Sequence, residues 1–80
     1  MIFAGVGIPN LKERDATDFL RSKGFSYVRT SGSHQMWRNP EGITAVLAIH
    51  GKDVNPNGFR KMLKQIGVSV PEFMDYWRNR

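Results

Sequence analysis

The run ITAVLAI, residues 43–49, constrains this chain more than any other stretch. It is β-branched and almost wholly apolar, yet it is only seven residues long. That is short for a buried helix and far short of the ~20 apolar residues a membrane helix needs. It reads as a strand, central in its sheet or well covered. The preceding residues supply its partner. Asn39-Pro40-Glu41-Gly42 has the chemistry of a turn, with Pro fixing φ early and Gly free to take φ > 0 at the close. Before it, HQMWR (residues 34–38) puts His34, Met36 and Arg38 on one face of a strand and Gln35 and Trp37 on the other. FSYVR (25–29) puts Phe25 and Tyr27 on one side and Val28 on the other, and residues 30–33 join it to the next run. Two short links imply two hairpins, hence a three-stranded antiparallel meander.

Helical spacing flanks these strands. Over residues 11–23, Ala16, Phe19 and Leu20 fall at i, i+3 and i+4. Asp15 and Asp18 lie toward the start and Arg21 and Lys23 toward the end, which suits the helix dipole, and Gly24 is a natural stop. After the loop HGKDVNP, Phe59, Met62, Leu63 and Ile66 form the apolar stripe of a second helix over 57–66, with Arg60, Lys61 and Lys64 on its other side. Ser69-Val70-Pro71-Glu72 matches a capping box, and Val70, Phe73, Met74 and Trp77 repeat the helical spacing. The expected fold is therefore α+β: α-β-β-β-α, a three-stranded antiparallel sheet with helices packed on one face, closed by a short extra C-terminal helix.

A chain of 80 residues has room for one domain, 1–80, with residues 1–10 as an N-terminal arm. That arm is apolar but has no basic leader and is too short to cross a bilayer. It is read as neither signal peptide nor membrane helix, and a cytoplasmic location follows. The absence of cysteine excludes thiol catalysis and Cys-based zinc sites. Twelve Lys and Arg against seven Asp and Glu give a net charge of +5. A small basic domain gathers polyanions by releasing their counterions, so nucleic acid is the first partner to consider.

The residues able to carry chemistry are few. His34, His50 and scattered carboxylates such as Asp53 lack the spacing of a metal site, so no metal is expected. Ser33 and His34 are adjacent at a strand start and point apart, which argues against a nucleophile–base pair. RNA, however, brings its own nucleophile, the 2′-hydroxyl. A protein that cleaves it need only move protons and neutralise the phosphate. A histidine does the first and Arg or Lys the second. His34 suits this: Gly32 and Ser33 free the backbone to approach a phosphate, Arg38 shares its strand face, and Arg29 leaves the end of the neighbouring strand. Lys52 is a further candidate phosphate contact. His50, at a strand end before Gly51, reads as a loop-holding residue. Trp37 and Tyr27 are candidates for base stacking or for the core. From the residues alone, the plainer reading of His34, a side chain that hydrogen-bonds a loop, is the favoured one.

The order and spacing of these pieces resemble a family. LRSKGFSYVRTSGSHQMWRNPEG followed by AIHGKDVNPNGFRKMLKQIGVSVPEF, about residues 11–73, is similar to the HicA toxins, small mRNA interferases. The shared pattern is a helix ending L-x-x-x-G-F, then V-R-x-x-G-S-H, a hydrophobic strand ending near a His, and G-x-x-R-x-[LM]-L-K-Q-x-G-[VI]-S. The resemblance implies a fold like that of double-stranded-RNA-binding domains. It further implies ribosome-independent mRNA cleavage without a cofactor, and neutralisation by a HicB-type antitoxin. It places the catalytic histidine at His34, flanked by Gly32 and Ser33, with Arg29 as the basic residue before the motif and His50 as an auxiliary histidine.

Two other functions fit the same pattern. A non-catalytic double-stranded-RNA-binding module would bind RNA in a salt-dependent way without cutting it, but its usual contact loops, residues 30–33 and 55–57 here, carry no charge. A protein-interaction domain would not bind RNA at all.

Overall fold

The apolar run forms the third strand of a four-stranded antiparallel sheet. The computed structural model describes residues 7–80. In chain order the elements are α1 (Glu13–Ser22), β1 (Ser26–Ser31), β2 (His34–Arg38), β3 (Thr44–His50), β4 (Asp53–Val54), α2 (Pro56–Gln65) and α3 (Val70–Asn79). The strands lie side by side as β1-β2-β3-β4, every neighbour antiparallel. This is the expected α+β order, consistent with the double-stranded-RNA-binding-domain-like arrangement, with one strand more than the meander.

The added strand has a local cause. Asp53 and Val54 pair with His50 and Ile49 on one side. On the other side the Val54 N–H donates to the Leu11 carbonyl at 3.0 Å and the Glu13 N–H to the Lys52 carbonyl at 2.8 Å. The segment entering α1 thus gives β4 a second set of partners. Lys12 Nζ adds a contact with Asp53 Oδ1 at 2.6 Å. Of the expected N-terminal arm, residues 1–6 lie outside the described residues. Within 7–10, Ile8 packs against the core.

Side chains alternate along β3. Ala45, Leu47 and Ile49 are buried, while Thr44, Val46 and Ala48 are half-buried and His50 is exposed. Trp37 of β2 joins the buried face, which meets Ala16, Phe19 and Leu20 of α1, Phe59, Met62 and Leu63 of α2, and Phe73 of α3. All three helices therefore deliver their apolar stripes to one face of the sheet. At the centre, the Phe73 ring stands edge-on to Phe19 at 4.9 Å and to Phe59 at 4.8 Å between centroids. Full burial of each such side chain contributes ~1.5–3 kcal/mol, the main resource of a domain this small.

Ser69 caps α3 as the sequence signals, accepting the Glu72 N–H at 3.1 Å. α2 begins at Pro56, one residue before the expected start, because Asn55 caps it by accepting the Gly58 N–H at 3.0 Å. α3, expected as a short closing helix, runs 10 residues to Asn79, whose side-chain amide donates to the Asp75 carbonyl at 2.7 Å. Arg80 then lies over the Trp77 ring, 3.3 Å from its centroid. Among the described residues no helix is long and apolar enough to cross a membrane.

Candidate active site

The other face of the sheet carries the polar chemistry, and β2 determines which residues appear there. His34, its first residue, stands opposite Ser31 of β1 and Ala48 of β3. Met36 stands opposite Arg29 and Val46, and Arg38 opposite Ser26 and Thr44. Three parallel rows result, all on the face away from the aromatic core. His34, Arg29 and Arg38 are exposed there.

Arg29 owes its place to a fault in the ladder. Tyr27 pairs with Trp37 and Arg29 with Met36, so Val28 is an extra residue without a partner. In a regular strand residues 27 and 29 share a face. The bulge at Val28 separates them. Tyr27 stays on the core side, its ring edge-on to Trp37 at 5.7 Å, while Arg29 turns over to join Met36 beside His34. As a diagonal neighbour of His34 across the strands, Arg29 lies about 7–8 Å from it at the backbone. Arg38, four residues along the strand, lies about 13 Å away. Its Nε donates to Thr44 Oγ1 at 3.4 Å, which directs the guanidinium along the face.

Gly32 and Ser33 form the two-residue turn between β1 and β2. Gly32 has φ +60° while no non-glycine residue among those described has positive φ. This is the signature of a type II′ hairpin, whose twist matches the strands. The Ser33 carbonyl accepts the Ile49 N–H at 2.8 Å, which fixes the strand start and hence the base of His34. His50 falls on the same face as Ala48 by alternation, diagonal to His34, at the exposed strand end.

A wall stands beside the histidine. His34, Ala48, Asn57, Lys61 and Gln65 are among the residues lining a cleft of about 350 Å³ between the open sheet face and α2. That is at the lower end of the ~300–1,000 Å³ typical of ligand clefts. Gln65 Oε1 accepts the Val46 N–H at 3.3 Å, occupying a donor on the free edge of β3. The side chains of His34 and Lys61 make no hydrogen bond or ion pair among the described residues. Their polar atoms face solvent and are available to a ligand.

Lys52 is elsewhere. It lines a separate cleft of about 1140 Å³ with Lys12, Glu13, Arg21 and Trp37, between α1 and the core-side rim of β1 and β2. The turn after β3 carries it round the end of the sheet, away from the His34 face. Tyr27 and Trp37 belong to that side as well. Trp37 is buried, donates from Nε1 to Gln35 Oε1 at 3.1 Å and lies under the Arg21 guanidinium, so it offers no free face for stacking. Among the described residues no three His, Cys, Asp or Glu side chains gather into a metal-binding group.

Asn57, Lys61 and Gln65 were not singled out by the sequence as site residues. The available signal was Gly58. A glycine in the first turn of a helix marks a close approach by its neighbour, and here that neighbour is Ala48, on the row of His34.

A small basic α+β domain with a solvent-facing histidine and two arginines on its open sheet face has the charge to meet a polyanion. The family model described as the HicA toxin of bacterial toxin–antitoxin systems matches residues 14–68. The chain belongs to the HicA toxin family, and its role is that of the toxin of such a pair, whose counterpart is an antitoxin. No curated protein matches the chain.

Proposed function

We propose that this toxin is a metal-independent endoribonuclease acting on mRNA in the cytoplasm, and that His34 performs the proton transfer. The reading rests above all on one observation. His34 is exposed at the floor of a cleft, on the same sheet face as Arg29 and Arg38. RNA laid along this face presents a ribose to the imidazole and its phosphates to the guanidinium groups. His34 takes the 2′-hydroxyl proton, or donates to the leaving 5′-oxygen. The arginines, each able to form paired hydrogen bonds to phosphate, hold the strand in register. Arg29 is near enough to serve the reacting phosphate, and Arg38 serves a flanking one. Gly32 and Ser33 set the turn that presents His34, and His50 is a secondary contact. Lys52 has no part, because it lies on the far side of the sheet. The products carry a 2′,3′-cyclic phosphate, or its hydrolysed form, and a 5′-hydroxyl.

A HicB-type antitoxin silences this activity by occluding the basic face, for which an acidic partner surface is the natural complement. The competing function, a non-catalytic duplex-RNA reader, is disfavoured by the charge-poor turn at Gly32-Ser33 and the neutral start of α2 at Asn55-Pro56-Asn57.

The test is induced expression of the wild type and of His34→Ala, with mapping of RNA ends. The wild type arrests growth and leaves new 5′-hydroxyl ends. His34→Ala does neither while keeping its melting temperature, since an exposed side chain without partners contributes within ~0.5 kcal/mol to stability. RNA that is bound in a salt-dependent way but never cut would select the duplex reader instead.

A further inference from the structure

We propose that Lys61 is a catalytic residue of this toxin: it contacts the non-bridging oxygens of the scissile phosphate and stabilises the charge that builds there. The inference rests on the ribonuclease reading of His34 and supplies the second group that a single histidine leaves wanting.

The placement of Lys61 is fixed from both sides. Gly58, Lys61 and Gln65 follow one another at i, i+3 and i+7, so they share one side of α2, distinct from the stripe of Phe59, Met62 and Leu63 that enters the core. Gly58 packs against Ala48 so closely that a Cβ on it would lie 2.9 Å from the Ala48 Cβ. Gln65 is bonded to the Val46 backbone. Ala48 is on the row of His34, and Val46 is on the row of Met36 and Arg29. Lys61 therefore projects from between two anchors, beside the rows of His34 and Arg29. Among the described residues lining the His34 cleft, Lys61 is the only other side chain that ionises.

A phosphate in that cleft has the imidazole at the floor, Arg29 on the β1 side and Lys61 on the α2 side. β1 and β3 lie two strand spacings apart, roughly 10 Å, and two long side chains leaning inward from their outer sides can close that span. In the step itself His34 takes the 2′-hydroxyl proton, the 2′-oxygen–phosphorus bond forms, and the bond from phosphorus to the 5′-oxygen breaks. The departing 5′-oxygen takes a proton from water. Negative charge accumulates on the non-bridging oxygens between those events, and an ammonium held in place needs no reorganisation to meet it.

Steady-state cleavage of a single-stranded RNA oligonucleotide containing one mapped site, by the wild type, Lys61→Gln, Lys61→Arg, Lys64→Gln and His34→Ala, tests this. Lys64 carries the same charge on α2 but does not line the cleft. The expected result is a fall in kcat of about 100-fold or more for Lys61→Gln with KM little changed, the size of effect seen when one donor to a developing oxyanion is removed. Partial recovery is expected in Lys61→Arg, with kcat retained in Lys64→Gln. Lys61 is exposed, so the fold survives its replacement. Wild-type kcat in Lys61→Gln, or a loss confined to KM, or an equal loss in Lys64→Gln, would overturn the assignment while leaving His34 untouched. A wild type that does not cleave, or a His34→Ala that cleaves as well as wild type, would instead remove the ribonuclease reading, and the role of Lys61 with it.

Discussion

Gly58 and Ala48 meet without room for a single added methyl: a Cβ built on Gly58 would sit 2.9 Å from the Ala48 Cβ. Neither position has a rotamer to turn aside, so any side chain at 58 must push α2 away from β3. Gly58→Ala should therefore destabilise the domain. Overpacking costs ~1–3 kcal/mol, and the better helix propensity of alanine returns at most ~1 of it. A net loss of ~1–2 kcal/mol lowers the melting temperature by roughly 4–8 °C per kcal/mol in a domain of this size. The wall beside His34 moves with the helix, so activity falls too. Pairing the change with Ala48→Gly reopens the space, and the double variant should melt above Gly58→Ala alone. A double variant no better than the single one would show that the contact is not what holds α2 in place.

The two arginines of the open face make a prediction that separates them from Lys52. In a His34→Ala background, which leaves the RNA uncut, the logarithm of the affinity for single-stranded RNA should fall linearly with the logarithm of salt concentration. Each phosphate contact contributes about 0.7 to the slope. Arg29→Gln and Arg38→Gln should each reduce the slope by about that amount. Lys52→Gln should leave it nearly unchanged, since Lys52 lines the cleft under α1 on the opposite side of the sheet. Equal effects at all three positions would mean that RNA is held by net charge rather than by this face.

The placement of Lys52 shows what a sequence of this kind conceals. Strand alternation was legible, so the shared face of His34, Met36 and Arg38 and the inward turn of Trp37 could be read from HQMWR alone. The cap at Ser69 and the apolar stripes of α1 and α2 were equally local. The bulge at Val28 was not, because SYVRTS reads as an ordinary alternating strand and only its pairing with β2 shows the extra residue. β4 was hidden for a related reason: two residues make a strand only because the chain entering α1 runs beside them. The identity of the His34 wall depends on which side of α2 meets β3. Helical spacing shows two stripes on that helix but not which neighbour the polar one faces.

The bond that ties the start of α1 to β4 has a pH signature. Lys12 Nζ lies 2.6 Å from Asp53 Oδ1, and first the hydrogen bond and then the charge of Asp53 raise the Lys12 pKa above its ordinary 10.5. The folded state thus holds the Lys12 proton more tightly than the unfolded chain does. Its contribution is complete below pH 10.5 and disappears as pH rises through the higher folded value. Denaturant titrations of the wild type and Asp53→Asn should show a small stability gap at neutral pH that closes in strongly alkaline solution. Both side chains are well exposed, so salt should shrink the same gap. A gap that closes on acidification alone, with no alkaline limb, would assign the effect to Asp53 acting without Lys12.

The last helix makes the strongest prediction about stability, because the family match ends at residue 68 and α3 begins at Val70. An appendage added to a finished domain could be removed at little cost. α3 is not placed like one. Phe73 has no solvent exposure and its ring meets those of Phe19 and Phe59, which come from α1 and α2. Lys23 Nζ, just after α1, also reaches Glu72 Oε2 at 3.0 Å. Replacing Phe73 with Ala should cost ~3–5 kcal/mol, the range for emptying an aromatic site in a core. Small domains have only ~5–15 kcal/mol in total, so much of the protein would then be unfolded at growth temperature. Trp77, half-buried at the rim, should cost clearly less when truncated. Ending the chain at Val68 should be at least as damaging as Phe73→Ala, and the fall in toxicity should track the fraction folded. A truncated chain that melts like the full one would mean that residues 14–68 close their own core, leaving Phe73 a cover rather than a component.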